Sequence, residues 1–385
     1  MHQQSVQRVL IAGGGIGGLV AAIVLQREGI AVSVFERVKK LEEVGAGLTL
    51  WANALRAFHQ IGLTDMLRSV GRPVTRSCIL SWQGEILAEM PVEALTKHFG
   101  IPMVAVHRAD LQAALLTALG EGIVQMGTTC TGFQQEDMEV QAYLADGLEV
   151  TGDLLLGADG LHSTIRAQLF GATPPGYAGY TAWRGVAPIM PRQWGEQMTT
   201  ETWGNGRRFG LVPLSQGRMY WFATLNTPEG MGDKEGGRKQ ELLELFHTCH
   251  DPVPDVIEAT DEASILRNDI YDRPPLPHWS QERVALLGDA AHPMTPNLGQ
   301  GACQAIEDAV TLARCLTTQH TLASALQAYE KQRLKRANAV VQQSARIGQV
   351  AQWEGSLAAT MRNTAIKMLP TPLLFKQLER VLKAP

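Results

Sequence analysis

Three acidic residues each stand at the end of an apolar run that reads as a buried strand. Glu36 closes Ala31–Phe35, Asp159 follows Leu154–Ala158, and Asp289 follows Val284–Gly288. Open α/β sheets bind ligands beyond the carboxyl ends of their strands. Three strands stopping at acids therefore point to one ligand edge, assembled from distant pieces of chain. A carboxylate there accepts hydrogen bonds from sugar-like hydroxyls. The first of these strands belongs to a unit of strand, turn, helix and strand. Its turn reads Gly13-Gly14-Gly15-Ile16-Gly17-Gly18, with a helical pattern through Leu19, Val20, Ile23 and Val24. In a dinucleotide-binding turn Gly13 permits the sharp bend, Gly15 lets backbone approach a pyrophosphate, and Gly18 lets helix pack on strand. Amides at the helix start then face the phosphates.

A second glycine turn, Gly299-Gln300-Gly301-Ala302, precedes an apolar helix beginning near Cys303. Bare amides at a helix start favour negative charge. A nicotinamide enzyme has no use for this second site. A flavin does, because its reduced ring carries negative charge near N1 and the C2 carbonyl. Arg108 stands at another helix start, where a cation opposes the helix dipole, so it is either a solvated charge or a phosphate partner. Basic residues beginning with Arg37 follow Glu36. Gly45 and Gly47 lie in an apolar loop that is either a simple connection or a backbone set against something flat, and Arg37 and Gly47 are counted with the cofactor-binding candidates.

The chain has 385 residues, room for two domains or one large domain with an insertion. Lys and Arg number 34 against 38 Asp and Glu, which removes any general argument for nucleic acid. Five cysteines without a CxxC pair suit a reducing compartment and argue against a disulfide framework or zinc knuckle. A polar start running straight into the first strand predicts no signal peptide, and no apolar run is long enough to span a bilayer. The expectation is a cytoplasmic protein.

Residues 177–225 are crowded with Trp183, Trp194, Trp203, Trp221, Tyr177, Tyr180, Phe209, Tyr220 and Phe222. Their short alternating segments predict an antiparallel sheet inserted into the α/β domain. Such aromatics form either a core or the wall of an apolar pocket, with Arg184, Arg207, Arg208 and Arg218 as polar handles. Hairpins are expected around Gln83-Gly84 and Asp146-Gly147. His247 and His250, flanking Cys249, read as surface decoration. A long helix is expected over 321–350, and the apolar, proline-interrupted tail from Ile366 to Phe375 reads as a packed cap.

Taken together, Gly13 to Gly18 with Glu36, Asp159-Gly160, and Gly288-Asp289-Ala290-Ala291-His292-Pro293 with Gly299-Gln300-Gly301 resemble the three fingerprints of the single-component FAD-dependent aromatic hydroxylases. That is the p-hydroxybenzoate hydroxylase type, with salicylate-, urate- and zeaxanthin-oxidising members. The resemblance spans nearly the whole chain. It implies an α/β fold: a discontinuous Rossmann-like FAD-binding domain (1–75, 102–176 and 279–340), an inserted, mainly antiparallel substrate sheet (76–101 and 177–278), and C-terminal helices (341–385). It implies that Glu36 binds the adenosine ribose, Arg108 approaches the phosphates, Asp289 holds the ribityl chain, and Pro293 with Gly299–Gly301 lies against the flavin ring. Asp159-Gly160 is the pair associated with both FAD and NAD(P)H. Ala52-Asn53 departs from the Pro-Asn of many relatives.

The activity implied is monooxygenation with NADH or NADPH and O2, through a flavin C4a-hydroperoxide, on an aromatic or heteroaromatic small molecule. Arg208 and Tyr220 resemble substrate-contacting positions of urate-hydroxylating relatives, but equally fit a sheet arginine and a core tyrosine. The competing classes are an epoxidase or tailoring enzyme acting on a terpenoid or polyketide, a flavoprotein dehydrogenase, and a non-catalytic flavin-binding sensor. A monomer or homodimer is expected, with no metal in the site.

Overall fold

The computed structural model describes residues 6–40, 46–191 and 197–383, so Gly45 and Trp194 lie outside the described residues. The opening unit folds as its spacing predicts. Arg8–Ala12 and Ala31–Glu36 are parallel neighbours joined by the Ile16–Arg27 helix. That helix buries Ile16 through Leu25 all round. It can do so because the sheet lies on one side and the Gly301–Thr318 and Arg108–Leu119 helices pack on others. The sheet has the order Ser280–Gln281, Val284–Leu286, Leu154–Gly157, Arg8–Ala12, Ala31–Glu36, Val124–Met126. Every pair is parallel except the edge pair Ser280–Gln281 with Val284–Leu286. Parallel strands end on the same side, so Glu36, Asp159 and Asp289 share one edge.

A second sheet of seven strands runs Leu266–Asp272, Gly176–Ala187, Met219–Asn226, Arg207–Pro213, Met198–Trp203, Arg76–Ser81, Ile86–Met90. It is antiparallel apart from the pairing of Met198–Trp203 with Arg76–Ser81. The hairpin expected around Gln83-Gly84 supplies its last two strands. Side chains alternate across a strand, and that alternation sorts the aromatics. Trp183, Phe209 and Trp221 enter a core with Phe246 and Ile257 from two covering helices. Phe209 stacks on Trp221 at 5.5 Å between ring centroids. Trp203 is buried with Leu87, Ala351 and Ile366. The described tryptophans of this stretch are therefore core. The opposite face, carrying Tyr180, Arg184, Arg208, Tyr220 and Phe222, turns toward the nucleotide domain.

His250 is not decoration. Its Nε2 lies 2.8 Å from Thr202 Oγ1 and its Nδ1 2.7 Å from the Asp251 carbonyl, which ties the helical cover to the sheet. A second difference concerns the C-terminal boundary. The Leu322–Ala351 helix, 30 residues long and capped by Thr321 and Ser324, runs unbroken through 340 and 341. The natural break comes after it. Ser356–Lys367 and Thr371–Leu382 then lie on the edge strand Ile86–Met90 and cover it.

Candidate functional site

The first glycine turn divides its labour among its members. Gly13 has φ +109°, and a Cβ there would sit 2.3 Å from the Ala158 carbonyl oxygen. A Cβ on Gly18 would sit 2.0 Å from the Gly13 oxygen. Both absences serve the contact between this helix and the strands around it. A Cβ on Gly15 would meet nothing within 4 Å, and its φ of −70° suits any residue. Gly15 therefore keeps the helix start open to a ligand rather than relieving a clash. Glu36 accepts from the Gly14 amide at 2.7 Å and the Val38 amide at 3.0 Å, which fixes its carboxylate at the turn. Arg37 beside it is exposed.

Asp159 accepts from the Thr164 and Ile165 amides at 2.8 and 3.2 Å through Oδ2, while its Oδ1 is buried without a hydrogen bond. Burial raises its pKa, and hydrogen bonds, foremost that from Ser163, oppose the rise. Gly160, at φ +80°, again faces open space. Arg166, on the helix whose first amides bond Asp159, donates to the carbonyls of Ala290 and Ala291 and so joins the second fingerprint to the third. Burial pushes its pKa down to about 10.

Asp289 accepts no hydrogen bond from the described residues, and its side chain stays accessible from the sheet edge. The protein around it is nonetheless close enough that burial raises its pKa, with the charges of His292 and Arg108 pulling the other way. Arg108, exposed at the start of its helix, is thus brought to Asp289 from far away in sequence. Pro293 is buried behind it. Gly299 takes φ +60° with Trp51 and Thr49 alongside. Gly301 opens the 18-residue Gly301–Thr318 helix, with Ala302 next to it. Gln300 is buried and accepts from Asn53 Nδ2 and Gln304 Nε2, both at 3.0 Å. The helix starting at Ala52 thereby holds Asn53 in place without a proline.

Beneath this turn lies a cluster that the spacing of residues does not announce. Asp308 is fully buried and receives His292 Nε2 at 2.5 Å, Arg333 Nε at 2.7 Å and the Gly288 amide at 3.1 Å. Arg333 also bonds Glu307 at 2.8 Å and Gln304 at 2.7 Å. Burial alone would raise the Asp308 pKa. The charges of His292 and Arg333 outweigh it and hold the carboxyl at about 2. The one sequence signal is Glu307-Asp308 among the apolar residues of the first half of this helix, where two charges need partners.

On the facing sheet, Arg208 is only 2% exposed. It donates to Gln352 at 2.7 Å, Glu201 at 2.9 Å and Asn297 at 2.8 Å. Asn297 also receives the Tyr180 hydroxyl at 3.3 Å. Arg208 thus braces the glycine turn against the sheet, its charge balanced by Glu201. Tyr220 is buried, which raises its pKa, while Arg184 beside its hydroxyl opposes the rise. Its ring lies on Gly47, where a Cβ would fall 2.6 Å from it. Against Gly47, counted with the cofactor-binding candidates, the structure sets this tyrosine ring. Val212, Leu214, Val74, Met103 and Ala105 make the surroundings of Tyr220 apolar. Trp51 joins them with its indole N–H buried and without a hydrogen bond.

These residues provide an open helix start, an unpaired carboxylate beside a cation, a second open helix start, and an apolar wall opposite. That set fits an extended dinucleotide ending in a planar ring. Residues 7–344 match the family described as FAD binding domain. The chain is 46% identical to the aurachin C monooxygenase/isomerase of Stigmatella aurantiaca, over 94% of each chain. It is 36% identical to a FAD-dependent urate hydroxylase of Klebsiella pneumoniae, over 87% of this chain and 88% of the other. The crystal structure of Klebsiella pneumoniae HpxO complexed with FAD and uric acid superposes with a TM-score of 0.93 at 30% identity, covering 100% of this chain and 99% of that one. The chain belongs to the FAD binding domain family, among the single-chain FAD-dependent hydroxylases.

Proposed function

We propose that the protein is an NAD(P)H-dependent monooxygenase that inserts one oxygen atom of O2 into a small aromatic or heteroaromatic molecule. The bound FAD supplies the electron transfer and the activation of O2. Glu36 accepts from the adenosine ribose, and the amides at Gly15 with the helix start behind them hold the pyrophosphate, with Arg108 as countercharge. Arg37 adds positive charge at the same end. Asp289 accepts from the ribityl hydroxyls, and Asp159-Gly160 lines the approach between them. Pro293 and Gly299 to Ala302 back the ring, and the Gly301 helix start favours negative charge there.

The substrate lies between that turn and the Tyr220 face. Tyr220 and its apolar neighbours exclude water, and Arg208 keeps the turn at a fixed distance from the sheet. Arg208 is on this reading a positioning residue. The Arg208–Glu201 pair is charge-neutral, which leaves Arg184 beside the Tyr220 hydroxyl as a cation on this wall. The observation that carries the reading is Asn297, which joins the glycine turn directly to Arg208 and Tyr180 of the opposing sheet. Cofactor turn and substrate wall are one hydrogen-bonded unit.

The purified protein should be yellow and release FAD on denaturation. Aromatic and heteroaromatic compounds should be screened for stimulated NAD(P)H oxidation with isotope-labelled O2. Label entering the product supports the proposal. A flavin that oxidises NAD(P)H and releases only peroxide with every compound that binds would sink it.

A further inference from the structure

Seven of the large apolar side chains exposed among the described residues fall in one short stretch: Val350, Trp353, Leu357, Met361, Met368, Leu369 and Leu373. Leu357, Met361 and Met368 are 75%, 63% and 76% exposed and recur at helical spacing, while Arg362 and Ile366 of the same helix turn inward. Ordinary surface helices put polar residues there. A row of exposed apolar side chains of this kind marks an interaction surface.

Charge identifies the occupant. Residues 346–385 hold six Lys and Arg against two Glu, in a chain whose net charge is −4. Both acids are engaged by other residues. Glu354 receives Asn226 Nδ2 at 2.5 Å, and Glu379 lies 3.2 Å from His98 Nε2. Of the six cations Arg362 is buried and Lys367 pairs with Glu85 at 2.9 Å, while four turn outward: Arg346 one turn before Val350, then Lys376, Arg380 and Lys383 in line with Leu373 on the last helix. A second copy seated on this face would bring a second set of the same cations to one interface. A bilayer with anionic headgroups answers both the apolar row and its basic margin.

We propose that the outer face of Ser356–Lys367 and Thr371–Leu382, with the end of the helix before them, docks on an anionic lipid bilayer. The protein lies on the membrane: no described helix is long and apolar enough to cross one. The inner side of Thr371–Leu382 carries Leu378, Val381 and Leu382, which pack with Trp51, Met294 and Leu298 of the glycine-turn region. Docking therefore sets the candidate site one helix diameter, about 10 Å, from the lipid, and suits an apolar ring substrate that partitions into membranes.

The test is flotation of the FAD-loaded protein with phosphatidylcholine vesicles, with and without phosphatidylglycerol. The protein should float with the anionic vesicles and be released by salt. Leu357→Ser/Met361→Ser/Met368→Ser should bind about tenfold more weakly, its flavin spectrum unchanged. Lys376→Glu/Arg380→Glu should lose the preference for anionic lipid without touching the apolar row. Absence of flotation from both vesicle types would overturn the proposal. So would equal binding by the triple-serine variant, or a dimer that this variant dissolves while wild type ignores lipid.

Discussion

At Gly13–Gly18 the ligand edge is built of main chain. Gly13 and Gly18 lie against the carbonyls of Ala158 and Gly13 with no room for a Cβ, and Glu36 bonds the turn through the Gly14 amide. At Gly288–Gly301 the same edge is held by side chains, with Asp308, Arg333, His292, Gln300 and Arg208 binding one another or the turn. The first end carries the constant part of a dinucleotide, which asks only for close approach. The second must keep a ring at a set distance from a substrate wall. Buried ionic side chains fix distances that glycines leave loose, at the cost of desolvation.

The largest expected effect comes from Asp308→Ala. It strands Arg333 and His292 in the interior and should cost about 3–5 kcal/mol, seen in thermal unfolding of the FAD-loaded protein. A loss below about 1 kcal/mol would mean that the side-chain end is not held as described.

Next is Gly18→Ala, which forces a methyl against the Gly13 carbonyl. We expect a loss of about 1–3 kcal/mol and poor FAD occupancy together. Acid should act through Asp308 at a similar level. Its folded pKa of about 2 lies below the ordinary carboxylate value. The stabilisation is therefore complete above about pH 4 and lost as pH falls toward 2, on the order of 2 kcal/mol. Urea unfolding across that window should show a steeper acid dependence in wild type than in Asp308→Ala.

The smallest stability effects separate holding from binding. Gly15→Ala should leave unfolding of the FAD-free protein within about 0.5 kcal/mol of wild type, while weakening FAD. Asp289→Ala should likewise spare the FAD-free protein, since burial already disfavours its charge, and lower FAD retention. If either unfolds the protein instead, the open positions at this edge have a structural duty that the distances do not show.

What could be seen in the sequence follows the same division. Gly13, Gly15, Gly18 and Glu36 are legible because main-chain geometry demands glycine at fixed short spacing. The strands ending at Asp159 and Asp289 are legible because a buried parallel strand is apolar throughout. The partners of Arg208 were hidden: Glu201, Asn297 and Gln352 come from three elements, and nothing local says that they meet. Hidden for another reason was the sorting of the tryptophans. Aromatic crowding marks a sheet, but only strand register decides that Trp221 faces the core and Tyr220 the nucleotide domain.

The uninterrupted Leu322–Ala351 helix has a consequence for anyone recombining this protein with a relative. Along its length Tyr329 bonds the Leu286 carbonyl, Arg333 bonds Asp308, Ser344 bonds Thr295, and Gln352 just beyond its end bonds Arg208. It works as a ruler, about 45 Å long, graduated in contacts to both sheets. Inserting or deleting one residue would turn every later mark by about 100°. Chimeras joined inside it must preserve helical phase. Joints at the turn after Gln352 escape that demand, but the C-terminal helices must then keep Arg362 on the Gly204 carbonyl and Leu378, Val381 and Leu382 against the glycine-turn region.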